Sequence, residues 1–414
     1  MPEAERIDVL LVTEFAPRHS GHGGHVYPFF LCEQLSAAGL RVKTLFVGDG
    51  AGYGRPYARG RDVVFIDWTR LGDLAVSTSA RDWGRFLLGP LWQKLRGMLN
   101  SGSHRGGAAG PRGPDPRPEI EATVRALKPA MAIVNTPTLL CHFASGRDRG
   151  FRLAVLCHDV IHERTRLYAA NGWPRDFQPL SADAEGQLLA RADLAIAISD
   201  EDAAVFAHLA PATRTVTSLP PIYRREAAIE TPLPPMQGRL RCGFIGSGGP
   251  PNVEAMHWLI DAWSTEAARL AGHELVVAGT VANGIARPLP AGVSVLGPVD
   301  SVETFYRDCH LALAIVLQGT GVKIKVLEAL RYGRPVLTTL EGLRGFGAEA
   351  LEVFPVVNSH AELAAFLEAL SDVAALQALA RRQREWAERC LDPARLMKPL
   401  LQEIAAGEPG PKGA

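Results

Sequence analysis

The chain has 414 residues, which is too long for one ordinary domain and is typical of two domains of about 200 residues each. Lysine plus arginine and aspartate plus glutamate each number 44, so the formal net charge is zero. Dedicated nucleic-acid-binding proteins usually carry a basic excess, and this balance therefore predicts no nucleic-acid partner.

The cysteines and the apolar runs indicate where the protein acts. The six cysteines are scattered, and none forms a Cys-x-x-Cys pair, which predicts reduced thiols and a cytoplasmic protein. The charged residues at 1–6 lead directly into an apolar run, unlike a signal peptide. The longest apolar runs are far shorter than the roughly 20 residues that a membrane-spanning helix needs. We expect a cytoplasmic protein, at most peripheral at the inner face of a membrane.

The first half of the chain alternates strands with helices. The continuous apolar run at 7–13 predicts a strand buried on both faces of a parallel sheet. A glycine-rich turn at 21–24, a helix over about 26–38 and a strand at 41–47 then form a βαβ opening. Further strands are predicted at 130–135, 153–157 and 194–199, with helices at 181–191 and 200–208. Ser199 is the expected N-cap of the last helix.

Two segments of the first half do not follow this alternation. Residues 100–118 consist mainly of Gly, Pro, Arg and Ser, a composition that cannot bury a core and predicts a disordered loop. Residues 81–99 read as an amphipathic, mildly basic helix. Such a helix suits contact with a membrane surface or a lipid-linked acceptor, and packing against its own domain is the alternative.

A proline-rich stretch at 218–237 predicts a linker between two domains. After it come a strand at 242–245, a glycine-rich turn at 246–249 and a helix over 252–270. Later strands are predicted at 274–278, 293–296, 311–317 and 335–339, followed by one long helix over 361–390. The expected units are a first domain at 1–217, a second domain at 238–390, and a helix and tail at 391–414 that could return to the first domain. The two αβ halves would face each other across a cleft, with ligands outside the carboxyl ends of the strands.

The segment 318–339, QGTGVKIKVLEALRYGRPVLTT, carries the strongest chemical signal. Gly319, Thr320 and Gly321 follow a buried strand and are expected to open a helix, whose free N-terminal amides suit a phosphate. Lys323 and Lys325 add positive charge within one turn. Glu328 lies further along the same helix, where it is placed to accept hydrogen bonds from a sugar ring.

This segment resembles the nucleotide-sugar motif of glycosyltransferase family four and its relatives, which are retaining enzymes of the GT-B fold with two Rossmann-like domains. The resemblance is carried by Glu328-Ala329-Leu330 and by Gly333-x-Pro335-Val336. It implies that Glu328 binds the ribose hydroxyls, and that the glycine turn and nearby basic residues hold the diphosphate of a nucleotide sugar.

The resemblance extends to other parts of the chain. Gly23 and Gly24 look like the family's N-terminal glycine loop, and His158 looks like the histidine in its acceptor-domain cleft. An ordinary structural histidine is the alternative for His158, and Arg164 or Arg166 could face the acceptor or a phosphate. The implied donor site comprises Gly23, Gly24, Gly319, Thr320, Gly321, Val322, Lys323 and Lys325 for diphosphate and sugar, Gly246, Pro298, Val299 and Glu328 for the nucleoside, and His158, Lys325 and Glu328 for catalysis.

Two departures from the family pattern bear on activity. Many members carry a glutamate where this chain has Thr320, and that residue usually helps to position the donor sugar. Many also carry an arginine and a lysine after the second domain's first strand, where this chain has Ser247-Gly248-Gly249. Lys323 and Lys325 could supply the missing charge.

The sequence therefore predicts transfer of a sugar from a nucleoside diphosphate sugar to a glycan, a lipid-linked or a small-molecule acceptor, in glycan, polysaccharide or glycoconjugate synthesis. No Asp-x-Asp-type motif lies in a suitable loop, so we expect no metal and no cofactor other than the co-substrate. Helix amides and lysines would stabilise the leaving diphosphate. A nucleotide-sugar epimerase of the same architecture and a catalytically silent scaffold or binding protein remain the alternatives.

Overall fold

The computed structural model describes most of the chain. The described residues are 7–18, 23–48, 57–59, 63–65, 68–71, 74–77, 118–145, 149–225, 232–235, 239–285, 288–370 and 372–406. The predicted amphipathic helix at 81–99 lies outside them. So does the predicted loop at 100–118, apart from Pro118, which begins a helix.

The first domain is built on a parallel sheet of seven strands, in the order β10-β9-β8-β7-β1-β2-β4. Its central strands are mainly apolar and almost entirely buried, as expected for strands covered on both faces. The strands are β1 (Val9–Thr13), β2 (Val42–Phe46), β4 (Val63–Phe65), β7 (Met131–Val134), β8 (Arg152–Leu156), β9 (Leu194–Ala197) and β10 (Arg214–Thr217).

Within the described residues, five helices accompany this sheet in chain order. They are α1 (Gly23–Ala37), α2 (Pro118–Leu127), α3 (Ile161–Ala170), α4 (Ala182–Leu189) and α5 (Asp200–Leu209), with a 3-10 turn at Pro137–His142. The predicted cap is confirmed, since Ser199 Oγ accepts the Asp202 amide at 3.1 Å. The sequence patterns did not predict a small antiparallel sheet in the order β3-β6-β5, formed by β3 (Tyr57–Arg59), β5 (Trp68–Leu71) and β6 (Leu74–Ser77).

The second domain is built on a parallel sheet of five strands, in the order β13-β12-β11-β14-β15. The strands are β11 (Leu240–Ile245), β12 (His273–Ala278), β13 (Val293–Gly297), β14 (Leu311–Ala314) and β15 (Val336–Thr338). The helices are α6 (Pro250–Thr265), α7 (Ala267–Leu270), α8 (Val302–Arg307), α9 (Ile324–Arg331), α10 (Glu349–Val353), α11 (His360–Ala369) and α12 (Val373–Cys390), with 3-10 turns at Thr280–Gly284 and Glu341–Leu343. Two parallel-sheet α/β domains confirm the predicted fold class.

Each sheet has one point at which the strand order reverses. In the first sheet the chain moves outward from β1 through β2, then returns to place β7 on the other side of β1. In the second sheet the same reversal separates β11 from β14. Crevices outside the carboxyl ends of the strands at such points are the usual ligand sites of open α/β sheets.

The chain passes between the domains twice, through the proline-rich linker and again after α12. Ser218, at the start of the predicted linker, accepts a hydrogen bond from the buried Tyr27 hydroxyl of α1. Pro232, near its end, accepts one from Arg334 of the second domain at 2.9 Å. After α12, helix α13 (Pro393–Ala406) packs against α1 and β10, and Glu403 on it pairs with Arg152 of β8 at 3.2 Å.

Three predicted helix boundaries are wrong. The single helix expected at 361–390 is two, because the Asp372 carboxylate accepts the Ala374 amide and starts α12 anew. The helix expected at 252–270 begins at Pro250, where a missing N–H costs nothing, and is interrupted at Glu266. The segment Gly319–Gly321 does not open a helix directly, since α9 begins at Ile324.

No single helix among the described residues is long and apolar enough to cross a membrane, although the bent pair 360–369 and 373–406 passes the same test by length and composition alone.

Candidate functional site

A cavity of about 570 Å³ lies between the domains, at the reversal point of the second sheet. Its walls include the turns that follow β11, β12 and β14, together with the start of α9. Nine of the thirteen residues predicted for the donor site line it, namely Gly246, Pro298, Val299, Gly319, Thr320, Val322, Lys323, Lys325 and Glu328. The fold therefore brings these residues, which span 83 positions of the sequence, to one place.

The side chain of Lys325 lines this cavity and is held by two neighbouring side chains. Its Nζ donates to Asn252 Oδ1 at 2.9 Å and lies 4.5 Å from the ring centre of Phe244. Asn252 is itself held by the glycine turn, because its Nδ2 donates to Ser247 Oγ at 3.1 Å. The pKa of Lys325 is lowered to about 7, mainly by burial and also by the charge of Lys323, against the attraction of Glu328.

Glu328 lies one helical turn beyond Lys325, and its carboxylate has no hydrogen bond to any described residue. Burial raises its pKa to about 7, against the attraction of Lys325 and Arg331. A carboxylate and an ammonium group are thus both held in a place where charging them is costly. Strongly shifted pKa values of this kind in a cleft are typical of functional sites.

Lys323 has a different environment from Lys325. Its Nζ donates to the carbonyls of Thr320 and Gly321, at 3.2 and 2.7 Å, and pairs with Glu341 at 3.1 Å. The lysine therefore folds the loop at 319–321 back on itself, in addition to lining the cavity. The hydrogen bonds of Lys323 therefore stabilise mainly the shape of this loop.

The loop at 319–321 touches the first domain. Gly321 has φ of +63°, and a side chain there would meet the His158 carbonyl at 2.6 Å, so both backbone and space require glycine. The Thr320 hydroxyl donates to Asp159 Oδ2 at 3.0 Å. Asp159 also pairs with Arg164 at 3.0 Å, and both residues line the cavity.

His158 and the first glycine turn form a second group outside the lining of the cavity. Gly23 begins α1, and the Gly24 carbonyl accepts from Asn135 Nδ2 at 3.0 Å. Asn135 Oδ1 in turn lies 2.6 Å from His158 Nε2. Because the Asn135 amide already donates to Gly24, its oxygen is the acceptor, and His158 Nε2 carries the proton.

Asn135 is a residue of this group that sequence reasoning missed. It is fully buried, follows β7 at the reversal point of the first sheet, and also donates to Thr13 Oγ1 at 3.0 Å. One signal for it exists in the sequence. Pro28 lies four residues after Gly24 inside α1 and has no N–H, so it leaves the Gly24 carbonyl to another donor.

A larger groove of about 700 Å³ shares Val316 with this cavity and is lined by Leu340, Arg344 and Leu351 among others. It contains neither the glycine turns of the second sheet nor the Lys325 and Glu328 pair. We therefore assign the candidate site to the smaller cavity. Within the described residues, no group of three or more His, Cys, Asp or Glu side chains is arranged to hold a metal ion.

Comparisons with known proteins agree with this geometry. Residues 239–373 match the family model described as glycosyl transferases group 1. No curated protein matches the chain in sequence. The matched segment covers most of the second domain and contains all of the cavity's residues from that domain.

Solved structures share the fold over the whole chain. HepE from Anabaena, in complex with UDP and glucose, has a TM-score of 0.61 at 14% identity, covering 97% of this chain and 100% of that one. TarM from S. aureus has a TM-score of 0.64 at 9% identity, with 96% and 99% covered. Sucrose-phosphate synthase from Thermosynechococcus elongatus has 0.61 at 14% identity, with 97% and 100% covered. The chain has the GT-B fold, which it shares with these structures.

Proposed function

We propose that the protein is a retaining glycosyltransferase that moves a sugar from a nucleoside diphosphate sugar to an acceptor hydroxyl. The observation that carries the proposal is the cavity at the reversal point of the second sheet, whose second-domain wall lies within the segment that matches group 1 glycosyl transferases. There the start of α9, the Lys325 ammonium and the Glu328 carboxylate follow one another along the chain. Amides and a cation suit a diphosphate, and a carboxylate without a partner suits ribose hydroxyls.

In the proposed mechanism, negative charge grows on the leaving diphosphate as the glycosidic bond breaks. Lys325 and the first amides of α9 stabilise that charge in a site from which most water is excluded. His158, held by Asn135, lies at the carboxyl end of β8, on the first domain's side of the cleft. Transfer on one face of the sugar, with retention of configuration, follows the resemblance noted in the sequence.

The remaining parts of the proposal concern location and partners. We propose that the enzyme acts in the cytoplasm or at the inner face of a membrane, on a glycan, a lipid-linked or a small-molecule acceptor. We also propose that it needs no metal, since Lys325 and backbone amides can neutralise the diphosphate. Turnover that is lost in chelator and restored by magnesium or manganese would contradict this last part.

The first experiment measures donor binding and turnover. Nucleoside diphosphates and their sugars are screened by thermal shift, because a ligand stabilises the folded state by mass action. The UDP in the HepE structure makes UDP and UDP-glucose the first pair to test. Wild-type protein that binds donors but neither transfers nor hydrolyses the sugar would instead indicate a binding protein. Conversion of the donor into a second nucleotide sugar of the same mass, without an acceptor, would indicate an epimerase.

A kinetic prediction then tests the role of Lys325. Lys325→Ala should lower turnover far more than it weakens binding of the nucleoside diphosphate, because charge on the diphosphate grows in the transition state. Lys325→Arg should recover only part of the loss, since it restores charge without the geometry. The exposed Lys398 on α13 offers a matched control, and Lys398→Ala should leave both quantities unchanged. Near-wild-type turnover in Lys325→Ala would mean that the diphosphate is held elsewhere.

A further inference from the structure

The wall of the cavity that the first domain supplies contains one carboxylate, Asp159. Only 13% of its side chain is exposed, and Oδ2 takes both of its contacts, from the Thr320 hydroxyl and from Arg164, at 3.0 Å each. Within the described part of the chain, Oδ1 has no hydrogen bond. Asp159 is thus held in one orientation by two partners and keeps an oxygen with unused acceptor capacity.

Arg164 is itself immobilised, which makes the orientation of Asp159 firm. Its guanidinium carbon lies 3.9 Å from the ring centre of Phe177, an arrangement that favours a cation over an aromatic face. Arg164 follows Asp159 by five residues and lies in the first turn of α3. The carboxylate is therefore fixed by its own domain as well as by Thr320 of the opposite domain.

Among the described residues that line the cavity, the carboxylates are Asp159 and Glu328. These two carboxylates lie at different ends of the cavity. Asp159 meets the loop before α9, at Thr320, whereas Glu328 lies about 6 Å further along the helix than its first residue, at 1.5 Å per residue. The start of α9 and Lys325 lie between them. The order along the cavity is a hydrogen-bond acceptor, then a cation beside the N-terminus of α9, then a second hydrogen-bond acceptor.

This order complements a nucleoside diphosphate sugar, in which hydroxyls of the sugar and of the ribose flank the charged diphosphate. Building on the proposed function, we infer that Asp159 accepts hydrogen bonds from hydroxyls of the donor sugar. The first domain thereby selects the sugar, and the second domain holds the nucleoside diphosphate. A carboxylate repels phosphate, so the group that Asp159 faces is the uncharged, hydroxyl-bearing part of the ligand.

A binding experiment separates the two halves of the ligand. Affinities of wild type and Asp159→Asn are measured by calorimetry for UDP against UDP-glucose and for GDP against GDP-mannose. Hydrogen bonds to a charged acceptor are stronger than those to a neutral one, so Asp159→Asn should bind the nucleotide sugar about tenfold more weakly. Its affinity for the matching nucleoside diphosphate should stay within about twofold of wild type. Asp183→Asn, at an exposed position of α4 in the same domain, is the control and should change neither affinity, because Asp183 lies outside the cavity.

Three outcomes would overturn the inference. Equal weakening of both ligands in Asp159→Asn would mean that Asp159 acts through Arg164 on the phosphates. Unchanged affinity for both would mean that the sugar lies elsewhere, while the proposed function would stand. Wild-type protein that binds none of the nucleoside diphosphates and nucleotide sugars in the thermal-shift screen would contradict the proposed function itself, and the inference with it.

A second measurement identifies the hydroxyl and does not depend on the folding of one variant. UDP-glucose analogues that lack one sugar hydroxyl each are titrated into wild type, and one of them should lose about tenfold in affinity. That same analogue should bind Asp159→Asn, or Asp159→Ala where the asparagine variant does not fold, as weakly as UDP-glucose does. An equal further loss in the variant would show that Asp159 does not contact that hydroxyl, and such a loss with every analogue would contradict the inference.

Discussion

At the scale of single residues, Lys325 and Glu328 lie three positions apart on α9, and the pKa values of both are displaced toward neutral pH. The cause is the same for both, since the surrounding protein removes water that would stabilise either charge. A diphosphate restores the charge of Lys325, and ribose hydroxyls that donate to Glu328 favour its ionised form. Ligand binding should therefore be coupled to proton transfer at both side chains.

This coupling predicts a bell-shaped dependence of nucleotide-sugar affinity on pH, with its maximum near 7. Below that pH the raised pKa leaves Glu328 protonated, so binding must release a proton and weakens as pH falls. Above it the lowered pKa leaves Lys325 neutral, so binding must take up a proton and weakens as pH rises. The limiting slope of each side is about tenfold per pH unit. Calorimetry in buffers of different ionisation enthalpy measures both affinity and protons.

Variants assign the two sides of this profile. Glu328→Gln should remove the acidic side and Lys325→Met the alkaline side, each with a weaker maximum. The ligand should be a nucleotide sugar, because the terminal phosphate of a free nucleoside diphosphate titrates in the same range. A profile that stays flat between pH 5 and 9 in wild type would contradict the assignment of both residues.

At the scale of elements, helix α12 is hydrogen-bonded to β15 at the edge of the second sheet. The buried Gln383 side chain accepts from the Val336 amide at 2.7 Å and donates to the Val336 carbonyl at 2.8 Å. β15 is the edge strand, and this side chain therefore takes the place of a neighbouring strand at that residue. Helix and sheet are joined here by two polar contacts within an apolar layer.

Gln383→Leu should lower the free energy of unfolding by about 2–5 kcal/mol, because it leaves a buried amide and a buried carbonyl without partners. Urea denaturation followed by circular dichroism measures the change. Gln377→Leu, at an exposed position of the same helix, is the matched control and should stay within about 0.5 kcal/mol of wild type. A loss no larger than that of the control would mean that water replaces the two lost hydrogen bonds.

The sequence predicted most long elements but not their exact ends. Short apolar runs rich in β-branched residues, such as that of β1, are typical of a strand buried in a parallel sheet, and the glycine turns marked both βαβ openings. The break between α11 and α12 was missed, because the helical periodicity continues across it and only the Asp372 cap reveals it. The small sheet of β3, β5 and β6 consists of three- and four-residue strands, too short for any periodicity to register.

For the candidate site, too, the sequence predicted local features better than contacts between distant segments. Residues of one local motif, from Gly319 to Glu328, could be identified from spacing and chemistry. Contacts between distant segments could not be predicted. Thr320 and Asp159 lie 161 positions apart, and Asn135, which follows β7, contacts Gly24 at the start of α1. Such pairs depend on strand order and on the approach of the domains, which no local pattern encodes.

At the scale of the whole molecule, polar side chains hold the domains together at the cleft. Arg344 of the second domain pairs with Glu163 of α3 at 3.0 Å and lies 3.8 Å from Asp202 of α5. Burial raises the pKa of Asp202 to about 6, and Arg344 opposes that rise. Gln318 and Asn171 also exchange hydrogen bonds between the domains.

Arg344→Glu should open the cleft of the ligand-free protein, because it sets a carboxylate against Glu163 and Asp202. Small-angle scattering should then give a radius of gyration above that of wild type, which is about 22 Å for a compact chain of this length. Combining it with Glu163→Arg should restore the wild-type value. Arg307→Glu, which breaks an ion pair within α8, is the control and should not change it. An unchanged radius in Arg344→Glu would show that other contacts determine the approach of the domains.

The return of α13 to the first domain has a mechanical consequence. The chain passes between the domains once through the proline-rich linker and once between α12 and α13. A body attached at one point can turn about any axis, whereas attachment at two points leaves rotation about the line that joins them. Opening should therefore follow one arc rather than a free tumble. Asp159 and Thr320 would part and meet again along the same path in every cycle, without a search for their alignment.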